Sequence, residues 1–254
     1  MKPVYIGTSG WIYKSWRDVF YPEDISGKEH LEFYATQFPT VEINATFYRL
    51  PPLSMVKGWH ERAPRNFLFA VKGSRFITHM KKLTNLGGGV NRFTRRMRPL
   101  KEHLGPILWQ LPPSLKFDPD RLDCFLKKLP KSLRHAVEFR HRSWYEDEDT
   151  FNILRRHDVA HVSLSSQSMP TDLTVTSDFI YIRFHGLEGG FAHDYSRAEL
   201  DPWAEHIRKQ SRAGNTVFAY FNNDMNVRAP MNAKMLMEMT QAVQPSSGTL
   251  SSHR

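Results

Sequence analysis

Eight short apolar runs punctuate the chain, at residues 4–10, 40–48, 67–72, 105–111, 135–141, 160–165, 179–185 and 216–222, and the alternate positions within them are unusually polar. Helix-like stretches separate most of the runs. Strands that alternate with helices in this way predict a closed (β/α)8 barrel, in which one parity of each strand faces the helices and the other faces the lumen. In the second run Val41, Ile43 and Ala45 share one parity and Glu42, Asn44 and Thr46 the other. The fifth sets Val137 and Phe139 against Glu138 and Arg140, and the seventh sets Ile180, Ile182 and Phe184 against Tyr181, Arg183 and His185. A barrel lumen is normally filled with branched aliphatics. Charge at these positions points to a site at the strand ends.

The 254 residues match one barrel domain, expected over 1–243, with a Ser-rich polar segment, 244–254, expected to be a disordered tail. The runner-up architecture, an open doubly wound sheet, usually carries Gly-x-Gly-x-x-Gly after its first strand. Here that position reads Gly7-Thr-Ser-Gly-Trp11. The single cysteine, Cys124, excludes an intrachain disulfide and a thiolate cluster, and reads as a packing residue. No apolar run approaches the ~18 residues of a membrane span and no apolar leader opens the sequence, so no membrane partner and a cytoplasmic location are expected.

Helix signals are frequent. Ser26-Gly-Lys-Glu29 has the form of a capping box, Ser54 follows Pro51-Pro52 as a candidate N-cap, and Pro64 stops that helix. Asp118-Pro119 and Asp201-Pro202 each place a capping residue before a proline, and Gly214 suits a helix C-terminus. Residues 149–157 and 230–240 supply two more helices. Two places break the rhythm: a long insert at 73–104, whose glycines would permit the hinge motion of a lid, and 166–178, where a crossover helix is expected to be missing or very short.

Thirty-five Lys and Arg against 26 Asp and Glu give a net charge of +9, which favours polyanionic partners. Arg92, Arg95, Arg96, Arg98 and Lys101 crowd one ten-residue stretch, either a solvated helix face or a surface for nucleic-acid phosphates.

By parity, the lumen-facing polar residues near the strand ends are Ser9, Glu42, Asn44, Lys72, Gln110, Glu138, Arg140, Arg183, His185, Tyr220 and Asn222. Three cations (Lys72, Arg140, Arg183) against two carboxylates (Glu42, Glu138) leave an excess of one positive charge, which suits an anionic ligand. Glu42 and Glu138 are candidates for general acid and base, and His185 for a proton shuttle. Lys72, Arg140 and Arg183 would hold an oxyanion, and Asn44, Gln110 and Asn222 would orient the substrate. Trp11, Tyr48, Trp109 and Trp144 would stack on a planar group or a sugar ring. Structural ion pairs, Glu138 with Arg140 or Glu42 with Lys72, are the plain alternative. His79, Glu138, His141, His185 and Asp224 are of metal-ligand type, so a divalent metal is an open cofactor assignment, although no dense ligand motif is present and the cations would oppose it.

Several blocks, in order, resemble the DUF72 (YecE-like) family. They are Gly7-Thr-Ser-Gly-Trp11 with Tyr13 and Trp16, Glu42-Ile-Asn-Ala-Thr-Phe-Tyr48 with Pro51, and Phe69-Ala-Val-Lys72 with Thr78-His79. Leu108-Trp-Gln-Leu-Pro-Pro113, Glu138-Phe-Arg-His141 with Ser143-Trp144, Tyr181-Ile-Arg-Phe-His-Gly186 and Tyr220-Phe-Asn-Asn-Asp224 complete the series. The likeness spans residues 4 to 240 and implies a TIM barrel but no reaction. The loops 186–195 and 223–229 depart from the glycine- and aromatic-rich versions common in that family. Three functions stay open: an enzyme on a phosphate-bearing substrate such as a nucleic acid phosphodiester, a sugar, sugar-acid or sugar-phosphate isomerase or hydrolase, and a nucleic-acid-binding protein without turnover.

Overall fold

Eight parallel strands close on themselves in sequence order: β1 (Val4–Ser9), β2 (Thr40–Ile43), β3 (Leu68–Lys72), β4 (Leu104–Gln110), β5 (His135–Glu138), β6 (Ala160–Ser165), β7 (Phe179–Phe184) and β8 (Thr216–Phe221), with β8 pairing back to β1. The structure, a computed structural model, describes residues 1–244, so the tail expected beyond that point lies outside the described residues. The fold is a TIM barrel, as the alternation predicts. Crossovers are α1 (His30–Gln37), α2 (Ala45–Tyr48) with α3 (Leu53–Arg62), α4 (Gly89–Met97), α5 (Pro119–Leu126), α6 (Asp149–Arg156) and α7 (Arg197–Arg212). A last helix, α8 (Arg228–Thr240), packs beside α7 and β1. Among the described residues no helix links β6 to β7, as the aperiodic sequence 166–178 implies.

Inside the barrel the strands sort into two layers. The lower lumen is apolar, with Ala70, Leu108, Ala136, Ala160, Val162, Phe179 and Phe218 in one buried cluster together with Tyr181 and Tyr220. Two residues further along four of these strands stand Lys72, Gln110, Glu138 and Arg183. The period of two therefore carries each strand from an apolar floor to a polar mouth. The larger outer core, between sheet and helices, takes the opposite parity, Val41, Ile43, Val71, Trp109, Val137 and Ile182 among it.

Five local expectations need correction. The Ser26–Glu29 pair bonds to itself ahead of α1 and does not cap it, since the helix starts after Glu29 with no side-chain cap. The second strand ends at Ile43, because the next residues wind into α2. Ser54 caps nothing, since Pro52 precedes α3 and its helix has no side-chain cap. Pro202 lies within α7, whose start is fixed five residues earlier by a reciprocal box between Ser196 and Glu199. Ser196 therefore displaces Asp201 as the cap, because the Glu199 carboxylate accepts in return from the Ser196 backbone N–H at 2.7 Å. Cys124 is exposed, because the buried stripe of α5 is Leu122, Phe125 and Leu126 and position 124 falls between its turns.

The 73–104 insert is packed against the wall. A π-helical turn (Phe76–Met80) leads to α4, which buries Val90, Phe93, Thr94 and Met97, with Phe93 against Trp109. This segment supplies the β3–β4 crossover and does not hang free as a hinged lid. No helix among the described residues is long and apolar enough to cross a membrane.

Asp118 does cap α5, accepting from the Arg121 N–H at 3.0 Å and pairing with its guanidinium at 2.9 Å. We expect Asp118→Ala to cost about 1 kcal/mol and lower Tm by about 2–4 °C. Ser54→Ala and Asp201→Ala should both stay within about 0.5 kcal/mol of the parent. Thermal unfolding of the three variants side by side checks this.

Candidate functional site

Arg183, at the upper end of β7, is buried at the centre of the mouth. One nitrogen, Nη2, donates to Glu42 Oε1 at 2.7 Å and to Ser9 Oγ at 3.2 Å. The other, Nη1, donates to Glu138 Oε2 at 2.6 Å. Strand register supplies the supporting contacts. Ser9 and Glu42 stand opposite each other on β1 and β2, and the Ser9 hydroxyl donates to Glu42 Oε1 at 2.5 Å. Gln110 and Glu138 are register partners on β4 and β5, and the Gln110 amide donates to Glu138 Oε1 at 2.7 Å. Tyr181, one lumen position below Arg183, donates its hydroxyl to Glu42 Oε2 at 2.6 Å. Arg140 completes the cluster through its Nε–H on Glu138 Oε1.

Burial alone would raise both carboxyls. For Glu42 the Arg183 charge, then that of Lys72, then hydrogen bonds from Ser9 and Tyr181 outweigh it and hold the group below its ordinary value. Glu138 is held well below its ordinary value by Arg140 and Arg183. Both are therefore carboxylates in one shared embrace, and the expectation that they titrate apart as acid and base does not follow from this geometry. Of the two structural pairings considered, Glu138 with Arg140 forms, whereas Glu42 is paired with Arg183 in place of Lys72.

His185 is pushed down to about 4, first by burial and then by the Arg183 charge. Its Nε2 accepts from Arg140 Nη2 at 2.7 Å and lies 3.2 Å from Arg183 Nη1, so that nitrogen carries the lone pair. Its Nδ1 faces the Asn222 amide at 3.0 Å. Nδ1 therefore carries the hydrogen and bonds Asn222 only when that amide turns its oxygen to the ring. Two guanidiniums crowd Nε2, which makes the neutral imidazole a spacer between them more than a free shuttle.

Lys72 differs from the two arginines of the mouth. No hydrogen bond or ion pair engages its amine among the described residues, and Nζ sits 4.5 Å over the Phe47 ring. Burial and the neighbouring Arg183 push it down to about 8, against the opposing pull of Glu138 and Glu42. Gly73 follows because the β4 wall lies against the chain there, where a Cβ would meet the Trp109 ring at 2.3 Å. The excess positive charge read from the sequence thus resides on one amine.

These groups open into a cavity of about 850 Å³ at the C-terminal ends of the strands. Asn44, Lys72, Gln110, Arg140, Arg183, His185 and Asn222 line it, with Tyr48 exposed at the rim. Ser9 and Glu42 are buried behind it, and Tyr220 lies in the floor, its hydroxyl 2.8 Å from Thr40 Oγ1. Three expected stacking residues are packing residues. Trp144 is buried flat on Phe139 and donates to the Leu115 carbonyl, Trp109 lies on the helix side of β4, and Trp11 packs on Trp59 and Phe69. The sequence reading missed Tyr181, which shares lumen parity with Arg183, and Tyr13 and Phe191, which sit in loops where parity gives no signal.

Of the metal-type residues, His79, His185 and Asp224 line this cavity but Glu138 is consumed by two arginines, and His141 turns aside to Ser143. Among the described residues those five do not bring three ligand atoms together. The basic stretch divides in two. Arg92 and Arg95 are exposed on α4, where Arg96 donates to the Pro51 carbonyl at 2.6 Å, while Arg98 and Lys101 belong to the following 3-10 segment, Arg98–His103.

Arg183→Met, which strands buried Glu42 and leaves Glu138 with Arg140 alone, should destabilise the chain by about 3–5 kcal/mol. Acid should act in two stages. Folding keeps His185 neutral, so the unfolded chain binds the extra proton and stability falls as pH drops from 6.5 towards about 4, with His135 and His161, lowered to the same value by burial, adding to that slope. The contribution of Glu42 and Glu138 is complete above their ordinary 4.5 and is lost as pH falls through their lowered folded values. Denaturant unfolding from about pH 7 to 3 measures both, and a flat profile would contradict them.

The family model described as "Protein of unknown function DUF72" matches residues 5–252. The UPF0759 protein YunF of Bacillus subtilis (strain 168) is 26% identical over 268 residues, covering 93% of this chain and 94% of its own. A DUF72 family protein of Thermotoga maritima superposes with a TM-score of 0.85 at 31% identity, covering 94% of this chain and 99% of that one. A second, from Enterococcus faecalis V583, is 21% identical with a TM-score of 0.81 over 94% and 96%, a likeness of fold. With the model matched over nearly its whole length, this chain belongs to the DUF72 family.

Proposed function

We propose that this protein is an enzyme that takes a phosphate-bearing substrate into the barrel mouth, with Lys72 as the group that meets it. The observation that carries this is the partition of charge. Arg183 is spent on two carboxylates and Arg140 on Glu138, while Lys72 has no anionic partner and faces the cavity. An amine with a pKa near 8 can accept an ion pair with phosphate and can also give up a proton near neutral pH. Asp224, raised by burial and lining the same cavity, is the group pushed the other way. A cation lowered and an acid raised in one cleft is the arrangement that acid–base chemistry requires. Glu42, Glu138 and His185 then serve by holding Arg183 and Arg140 in place.

The wall favours a nucleic acid over an isolated phosphate. Within the turn Phe76–Met80, His79 lines the mouth while Phe76 and Ile77 line a second cavity of about 380 Å³ shared with Lys81 and Arg92. A basic track thus leads from the mouth onto α4, suited to successive phosphates. The second reading, a sugar-phosphate enzyme, draws on the 850 Å³ volume, which is of small-ligand size, and on Tyr13, Tyr48 and Phe191 around it. In a binding protein without turnover, mouth substitutions would leave nucleic-acid affinity intact.

Inorganic phosphate and labelled single-stranded, duplex and abasic oligonucleotides, titrated against the parent and variants, test this. Lys72→Met should weaken phosphate binding about tenfold or more, and parent binding should fade as pH rises through about 8, where the amine loses its charge. Arg95→Ala with Arg96→Ala should leave phosphate affinity unchanged while lowering the oligonucleotide salt slope by about 2. Phosphate affinity equal in Lys72→Met and parent would overturn the assignment.

A further inference from the structure

A second set of ligand-type side chains lies at the opposite end of the barrel from the mouth. His60 is in the last turn of α3, which leads down to the start of β3. Glu102 and His103 close the segment Arg98–His103, directly ahead of β4. One ligand atom from each of the three lies within 4.8 Å of the other two, and no other such group of His, Cys, Asp or Glu occurs among the described residues.

The orientation of each side chain is set by something other than its neighbours in the group. His103 is buried, and its Nδ1 lies 2.7 Å from the Phe67 carbonyl oxygen. A carbonyl only accepts, so Nδ1 carries the hydrogen and Nε2 is left with a lone pair. That is the tautomer fixed by a backbone acceptor in metal-bound histidines. Nε2 stands 4.0 Å from Glu102 Oε1. The His60 ring is 5.1 Å from the His103 ring, and its Nδ1 is shielded from solvent with no hydrogen-bond partner. Lys101, the residue before Glu102, is held at φ 48°, ψ −123°, a backbone conformation that a side-chain-bearing residue adopts only at a cost. That distortion brings Glu102 and His103 round to the foot of α3. The shielded imidazole nitrogen of His60 thus lacks a protein partner beside a strained turn.

We propose that His60, Glu102 and His103 form a zinc site that clamps the foot of α3 to the start of β4. Two imidazole nitrogens and one carboxylate oxygen are a zinc donor set, with water as the fourth ligand. Bonds of about 2.0–2.1 Å put tetrahedral ligand atoms about 3.3 Å apart, so the group must contract by roughly an ångström. Glu102, whose side chain is 65% exposed, and the half-buried His60 have the freedom to do so, while His103 stays fixed by Phe67. Calcium and magnesium prefer all-oxygen sets and do not suit two imidazoles. The position implies stabilisation, since the end of a barrel away from the strand C-termini is where stability, not catalysis, is built.

Untagged chain, stripped with chelator and titrated with zinc chloride by calorimetry, should bind one zinc per chain. Zinc in hundredfold excess over Kd should raise Tm by about 5–10 °C. His60→Ala and Glu102→Gln, which remove no hydrogen bond that holds the fold, should each weaken zinc binding about tenfold or more and shrink the Tm rise. Cobalt in place of zinc should give the intense visible bands of a tetrahedral site, lost in His60→Ala. His79→Ala, at the mouth, should bind zinc like the parent. No stoichiometric zinc, equal affinity in His60→Ala and Glu102→Gln, or loss of binding in His79→Ala would each overturn the proposal.

Discussion

A guanidinium cannot be left unmatched inside a barrel, and the matching of Arg183 organises the upper half of this one. Its two terminal nitrogens reach carboxylates on β2 and β5, from the far side of the lumen on β7. Removing the guanidinium would leave Glu42 buried without its ion-pair partner, at about 3–5 kcal/mol. Ser9, Tyr181, Gln110 and Arg140 add further hydrogen bonds to the carboxylates, while the Nε–H of Arg183 stays buried without a partner. The network opens only upward, where Arg140 is partly exposed and Lys72 is unpaired. The unpaired amine of the mouth is thus a remainder: what is left after Arg183 has been neutralised.

The floor below makes that arrangement tolerable. Ala70, Ala136 and Ala160 give up volume to Phe179, Phe218, Tyr181 and Tyr220, so large rings from β7 and β8 fill the space that small residues leave on β3, β5 and β6. The two tyrosines join the layers. Their rings belong to the apolar cluster, while Tyr181 reaches Glu42 and Tyr220 reaches Thr40. Burial raises both phenols, Tyr181 with help from the Glu42 charge beside it, which keeps them donors of hydrogen bonds and never phenolates. The charged layer thereby rests on a dry base from which water is excluded.

Most of the barrel was legible because a period of two survives in every strand, and the parity of Glu42, Glu138 and Arg183 marked the mouth before any coordinates. The same rule places Trp109 beside Gln110 and so on the helix side, where it cannot stack in the lumen. Tyr181 is equally legible from its parity with Arg183. Caps were harder: Ser54, Asp201 and Ser196 all carry capping side chains, and only the reciprocal Glu199 contact separates the used one from the unused. The state of Lys72 was beyond the sequence, because composition counts three cations and two anions without saying which cation is left over. That depends on the reach of Arg183 across the lumen, a distance no local pattern encodes.

The mouth and the wall hold their positive charge in physically different ways. Lys72 shares its cavity with Asp224, so most of the net +9 must lie elsewhere, part of it on exposed residues such as Arg92, Arg95 and Arg98. Exposed charges act through water over about a Debye length, roughly 8–10 Å at physiological salt, and are damped as salt rises. Lys72 works at contact range in a partly dry cavity, where ions in solution screen it far less. Under the proposed function, the outer charge would govern how often an anion arrives, and the inner amine whether it stays. A chain that needed only affinity for a polyanion could dispense with the costly buried network altogether. That this chain keeps Arg183, two carboxylates and a neutral imidazole around one amine is the physical reason to look for chemistry at the mouth.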